Sequence, residues 1–405
     1  MPSAPAVSSA GAGSIDPIEL LTDAARTEVA GTPLGLYIHV PFCARRCGYC
    51  AFNTFTLDDA GGSDAPDRWV AAAEHEIRLA AAATGPGRRS LTSVYFGGGT
   101  PTMLTIDQLG RVLEAVRTWF DLTPATEVTV ESNPDGLRPG QLSGLRSLGV
   151  TRVSFGMQSV STRVLALLDR THSPRASLDA VAESRDVGFD HISLDLIYGT
   201  PGETSDDWEA TLEAAIGSGV DHVSAYALTI EPGTKLASRV RHGSLPRPSD
   251  RDASDRYRRA DERLSASGFA AYEISNWSRG DGGRSRHNLL YWRNHNWWGI
   301  GPGAHSHIGG VRWSNARQLD AWAATVIDGR IPAADREALD PPTRRFEEQF
   351  LRLRLSDGLP IHLVDRPEAL DALVGEGLVT AHADRVVLTV DGRLLADTVL
   401  MRLTA

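Results

Sequence analysis

Three cysteines, Cys43, Cys47 and Cys50, are the whole thiol content of this 405-residue chain, and they fall within eight residues. An odd number of thiols on one short loop does not make a disulfide framework, and structural zinc prefers four closed ligands. Thiolates at these spacings suit a cubane 4Fe–4S cluster. They hold three irons and leave the fourth open to an outside ligand, unlike an electron carrier bound by four cysteines. A zinc site completed by His39 or another histidine is the alternative. An exposed cluster needs reduced thiols, which points to the cytoplasm.

Other residues carry chemistry at a distance from this loop. Gly97-Gly98-Gly99-Thr100 follows an apolar strand-like run, and glycines there let backbone approach a ligand closely. Glu131, Gln158 and Asp195 each stand at or just past the end of such a run. Each alone reads as a loop cap, and together they read as a ring of ligand contacts at one rim. Further on, His287 is followed by Tyr291 and Trp292, with Trp297 and Trp298 beyond. Imidazole is an axial ligand for haem iron, and aromatic rings cover a porphyrin face or edge. Tryptophan and histidine also gather in domain interfaces, so that alternative stays open. His295, His305 and His307 are further candidate ligands.

Six β-rich segments must position these groups: Leu34–Val40, Ser93–Phe96, Glu127–Glu131, Arg152–Phe155, His191–Tyr198 and His222–Leu228. Helical segments alternate with them; Leu142, Leu145 and Leu148 mark one buried helix stripe. The alternation predicts a parallel sheet with helices outside. Polar or glycine-rich motifs follow nearly every strand, where ligands bind in barrels and in open α/β sheets alike. With the cysteines after the first strand, a partial (β/α)6 barrel is preferred over a doubly wound sheet. From about Pro341, a helix, a Gly-Leu-Pro turn, a second helix, a short hairpin and a closing helix predict a small C-terminal α+β domain that resembles a winged helix. The expected division is a disordered tail over 1–30, a core over 31–250, a linker region over 251–340 and the small domain over 341–405.

The net charge of −10 argues against general nucleic-acid binding. No apolar run approaches the roughly 20 residues of a membrane span, so no stable membrane insertion is expected. The first basic residue is Arg26, and the start lacks the apolar stretch of a secretory signal.

The cysteine spacing resembles that of the radical S-adenosylmethionine (SAM) superfamily, in which SAM chelates the open iron and the reduced cluster supplies an electron to its sulfonium. The stretches YIHVPFCARRCGYC, FGGGTPT, VESNP, SFGMQS, LDRTH, LDLIYGTPGE and LTIEPGT together resemble the HemN/HemW branch, over residues 34 to about 400. The resemblance implies cluster ligation by Cys43, Cys47 and Cys50, and SAM contacts by Tyr37, Tyr49, Gly98, Gly99, Thr100 and Glu131. Positions matching a second SAM site described in HemN relatives are Gln158, Arg170, Asp195 and Ala227. The coproporphyrinogen-oxidising relatives carry a fourth cysteine two residues on, where Phe52 stands here. RHNLLYW, from Arg286, resembles the HNxxYW signature of the haem-chaperone side of the branch. It implies haem binding by His287, Asn288, Tyr291 and Trp292. Some relatives have a cysteine just before the HN pair; Ser285 here excludes thioether attachment at that position.

The implied function is transfer of bound haem to an acceptor protein, with an electron donor such as a flavodoxin or ferredoxin as a further partner. Arg45 and Arg46 on the cysteine loop are candidates for meeting that donor or the negative cluster. Whether the chain is also an enzyme stays open. The rivals are an oxygen-independent coproporphyrinogen III oxidase and a radical SAM enzyme acting on another substrate. The cluster and haem segments are expected to be separable, because they lie far apart in sequence.

Overall fold

The computed structural model describes residues 13–404. Its centre is six parallel strands: β1 (Leu34–Val40), β2 (Ser93–Gly98), β3 (Glu127–Ser132), β4 (Arg152–Gln158), β5 (His191–Tyr198) and β6 (His222–Ala227). They pair in chain order, each parallel to the next. A doubly wound sheet reverses its strand order at a switch point. The unbroken order excludes that alternative and gives the (β/α)6 arrangement expected.

Side-chain alternation explains why these strands surround a site. Residues facing the helices are apolar and buried: Leu36 and Ile38, Val94 and Phe96, Val128 and Val130, Val153 and Phe155, Leu194 and Leu196. Each is worth about 1.5–3 kcal/mol in removal from water. Their neighbours face inward and are nearly all polar, including Thr129, Glu131, Arg152, Ser154, Ser193, Asp195, His222 and Ser224. A closed barrel of this family of shapes fills its interior with branched apolar side chains; this interior is lined for hydrogen bonding. Capping boxes at Thr105/Gln108 and Thr204/Asp207 start two of the covering helices, Ile106–Trp119 and Ser205–Gly217.

Two expectations need correction. Residues 251–340, expected as a linker, supply strands at both edges of the sheet, which has twelve strands in all. Asn296–Ile300 pairs parallel with β1 and is followed by antiparallel strands His305–Ile308, Val311–Asn315 and Ala333–Ala338. Asn276–Ser278 pairs antiparallel with β6. Long-range pairing of both β1 and β6 gives these short runs their strand conformation. The expected disordered tail over 1–30 is also corrected over its described part. Residues 1–12 lie outside the described part, but Pro17–Leu20 and Asp23–Gly31 are helices whose Leu20, Ala25 and Val29 are buried in the main core. Ile15 forms a β-bridge to Ile331.

The C-terminal unit has its own core of Leu353, Leu359, Leu373, Val386, Val399 and Leu403. Helix Pro341–Arg352, helix Leu370–Gly375, a hairpin of Val379–Ala381 with Arg385–Leu388, and helix Ala396–Leu403 follow in the expected order. No helix among the described residues is long and apolar enough to cross a membrane.

Candidate functional site

The cysteine loop leaves β1 at Pro41 and is clamped at its base. Cys43 N–H donates to the Phe55 carbonyl at 2.9 Å, and Phe55 N–H returns to the Pro41 carbonyl at 2.8 Å. Within it, Cys50 N–H donates to the Cys47 carbonyl at 3.3 Å, and the Gly48 carbonyl accepts from Leu236 N–H at 2.8 Å. Gly48 leaves no room for a side chain, since a Cβ there would lie 2.5 Å from Asp169 Oδ2. All three cysteines are half-buried. Burial pushes the Cys43 thiol up to about 11 and raises Cys50 as well, so a bound metal must favour the thiolates. Arg170 Nη1 stands 3.5 Å from Cys47 Sγ, and Thr100 Oγ1 3.9 Å from Cys43 Sγ. His39 does not offer a fourth ligand: its Nδ1 meets Tyr37 Oη at 3.1 Å and its Nε2 the Asn53 carbonyl at 2.8 Å. That weakens the zinc alternative.

The glycine run after β2 sits beside the loop. Gly99 N–H donates to the Val40 carbonyl at 2.8 Å, and a Cβ there would come within 2.6 Å of the Phe42 carbonyl oxygen. Gly98 takes φ +108° and donates its N–H to Glu131 Oε2 at 3.1 Å, while Tyr95 Oη donates to Glu131 Oε1 at 2.6 Å. Burial raises Glu131 to about 7. Asp195 is also raised, chiefly by burial, and accepts from Ser154 Oγ at 3.1 Å. A β-bulge between Gly156 and Gln158 puts Gln158 at φ +61°. Asn133, which sequence reasoning missed as a site residue, links two motifs: it accepts from Arg170 Nη2 at 2.8 Å and donates to Thr100 Oγ1 at 2.9 Å.

These groups surround one cavity of about 610 Å³. Its walls include the three cysteines, Tyr37, Tyr49, Gly98, Gly99, Glu131, Gln158, Arg170, Asp195 and Ala227. Thr100 lies behind the cysteines and outside the wall. The residues fit a cluster with SAM. Three thiols share one loop, a glycine cradle flanks it, and buried Glu131 and Asp195 face the same space. A ligand carrying an ammonium and a sulfonium would stabilise those carboxylates as anions.

The cavity also reaches the helix Arg286–Trp292. His287, Asn288 and Tyr291 line it, whereas Trp292 does not. The helix closes the end of the barrel opposite the cysteines. Glu127, at the start of β3, accepts from His287 N–H at 3.1 Å, Arg286 N–H at 3.2 Å and Ser285 Oγ at 3.3 Å. His287 itself is buried, and both ring nitrogens are engaged: Nδ1 with Ser93 Oγ at 2.8 Å and Nε2 with Tyr291 Oη at 2.8 Å. Burial lowers it to about 3, keeping the ring neutral. Its ring stacks on Tyr95 at 4.9 Å between centroids. The two segments, expected to be separable because they lie far apart in sequence, thus line one chamber.

Residues 37–215 match the Radical SAM superfamily profile. The chain is 48% identical over 375 residues to the protein named Heme chaperone HemW of Mycobacterium tuberculosis, covering 92% of this chain and 95% of that one. The chain belongs to the HemW family. It is 32% identical to the protein of the same name from Bacillus subtilis, covering 90% and 97% of the two chains. The structure of coproporphyrinogen III oxidase (HemN) from Escherichia coli superposes with a TM-score of 0.80 at 23% identity, over 94% of this chain and 92% of that one. At that identity the likeness concerns the fold alone.

Proposed function

We propose that this chain is a haem chaperone that carries a 4Fe–4S cluster on Cys43, Cys47 and Cys50 with exchangeable SAM, and passes haem to an acceptor protein. The observation that carries the reading is the single cavity joining the cysteine loop to the HNLLYW helix, in a chain whose relatives are named haem chaperones.

When bound, the reduced cluster supplies one electron to the SAM sulfonium. The chain's own residues do the rest. Gly98 and Gly99 admit backbone to the ligand, Glu131 and Asp195 balance its positive charge, and Arg170 beside Cys47 offsets thiolate charge. Haem would engage the floor helix through His287, with Asn288 and Tyr291 around it, whereas Trp292, expected from sequence, lies outside the cavity wall. Because both imidazole nitrogens are hydrogen-bonded, ligation of haem iron requires His287 to leave Ser93 or Tyr291. Arg45 and Phe52 are exposed on the cysteine loop, where a flavodoxin or ferredoxin donor would approach the cluster.

The test is anaerobic reconstitution followed by haem titration of the native chain, His287→Ala and Cys47→Ala. The expected result is a Soret change in the native chain that is weakened in His287→Ala and altered in Cys47→Ala. No Soret change in reconstituted native protein would overturn the reading. Decarboxylation of coproporphyrinogen III would favour the oxidase instead, against the phenylalanine at position 52.

A further inference from the structure

Below Glu131 and Asp195, toward the floor helix, the cavity wall changes character. Thr129, Arg152, Ser193 and His222 follow one another around it on β3, β4, β5 and β6. Thr129 pairs with Arg152 and Ser193 with His222 in the strand register, and Arg152 Nη1 donates to Ser193 Oγ at 3.3 Å. Among the described residues, neither Thr129 Oγ1 nor His222 Nδ1 has a hydrogen-bond partner, although the two residues are only 1% and 4% exposed. Both line the cavity. A buried polar atom without a partner is costly, of the order of 1–3 kcal/mol.

The network fixes which proton His222 offers. Tyr272 Oη accepts from Ser285 N–H and Asn288 Nδ2–H, each at 3.4 Å, so its own proton goes to His222 Nε2 at 2.8 Å. Burial and the Arg152 charge lower His222 to about 3. The neutral ring, accepting at Nε2, must carry its proton on Nδ1. The unpartnered groups therefore present an N–H and a hydroxyl; the Arg152 guanidinium, on the strand next to Thr129, is already paired with Glu127 at 3.2 Å. The carboxylates Glu131 and Asp195 lie further toward the cysteines and already accept hydrogen bonds. The ligand complementary to this wall is a hydrogen-bond acceptor, and two donors suit the two oxygens of a carboxylate.

We propose that this lower chamber binds a carboxylate group, received by His222 Nδ1–H and the Thr129 hydroxyl. That chemistry has two sources, a porphyrin propionate or a small free carboxylate. Only the propionate source rests on the haem reading above.

The experiment uses the reconstituted full chain and its Thr129→Val and Thr129→Ser variants. Valine matches threonine in shape and removes only the hydroxyl; serine restores it. Three probes are titrated: haem, haem dimethyl ester and succinate. If propionate is the source, the native chain and Thr129→Ser bind haem about a hundredfold more tightly than the ester, as two charged hydrogen bonds are worth, and Thr129→Val, which keeps the His222 N–H, only about tenfold more tightly. If a free carboxylate is the source, succinate binds the native chain and loses about tenfold in Thr129→Val, while haem and its ester behave alike. Succinate binding without haem binding would remove the haem reading and leave the chamber. Haem and ester binding alike, with succinate not bound, would overturn the chamber and leave the haem reading. A difference in Thr129→Val as large as that in the native chain also overturns it.

Discussion

Arg170 Nη1 lies 3.5 Å from Cys47 Sγ while Nη2 of the same guanidinium donates to Asn133 Oδ1 at 2.8 Å and the Gly156 carbonyl at 3.1 Å. One side chain thus ties the cysteine loop to the ends of β3 and β4. Arg170→Met keeps much of the stem and removes every one of these bonds. The expected outcome is reduced iron per chain after reconstitution and SAM affinity lowered about tenfold or more. Iron analysis and SAM titration check it; unchanged values in both would show that the guanidinium merely packs.

Gly48 is required by contact rather than by dihedral. Its missing Cβ would meet Asp169 Oδ2 at 2.5 Å, and Asp169 sits at φ +54° with its carboxylate paired to Lys235 Nζ at 2.8 Å. Gly48→Ala should lower cluster occupancy, and a second change, Asp169→Gly, should restore it. That second change removes the clashing carboxylate and suits the positive φ. The lost ion pair is exposed on the lysine side and worth at most about 1 kcal/mol. Absorbance of the reconstituted cluster reads both steps.

The floor helix depends on a buried pair. Arg152 Nε lies 3.2 Å from Glu127 Oε2, with both side chains almost wholly buried, and Arg152 Nη2 donates to the Gly283 carbonyl at 3.0 Å. Arg152→Met leaves Glu127 charged and unpaired, at an expected cost of about 3–5 kcal/mol. Denaturant unfolding should record that loss. Hydrogen exchange should show residues 283–290 losing protection before the helix Ile106–Trp119 does, because the bonds removed hold only the former.

Glu76 gives the chain a pH-dependent stability term. It is fully buried and accepts from Asn315 Nδ2 at 2.7 Å, Gly301 N–H at 2.8 Å and Trp322 Nε1 at 2.8 Å. Burial nonetheless raises it to about 7. A carboxyl raised on folding binds its proton more tightly in the native state. Its contribution is therefore full below the ordinary carboxyl range and lost as pH rises through about 7. Between about pH 5 and about pH 8 the native chain should lose up to about 3 kcal/mol relative to Glu76→Gln. Parallel slopes for the two proteins across that range would exclude Glu76 as the source.

The strands that build the site were legible because their signal is local. HISLDLIY and LGLYIHV occupy the observed strand bounds, and the three cysteines mark the loop that follows the first of the six strands. A further local signal went unread. In EVTVES and RVSF, residues alternate between apolar and polar, and that period of two marks Thr129, Arg152 and Ser154 as inward-facing. Asn133 stands within VESNP and Tyr95 within the strand run Ser93–Phe96, but nothing local distinguishes Asn133 as a bridge between Arg170 and Thr100.

The amino-acid order alone determined the three-cysteine loop, the succession of six parallel strands, the glycine run beside it and the small C-terminal unit. Each is encoded by spacing or periodicity within a few residues. Tertiary structure alone decided that HNLLYW forms the floor of the same chamber, that His287 is held by Ser93 and Tyr291, and that residues 270–338 extend the sheet. Those outcomes depend on partners far apart along the chain. Hydrogen-bond satisfaction in a closed interior joins them, and no local pattern records it.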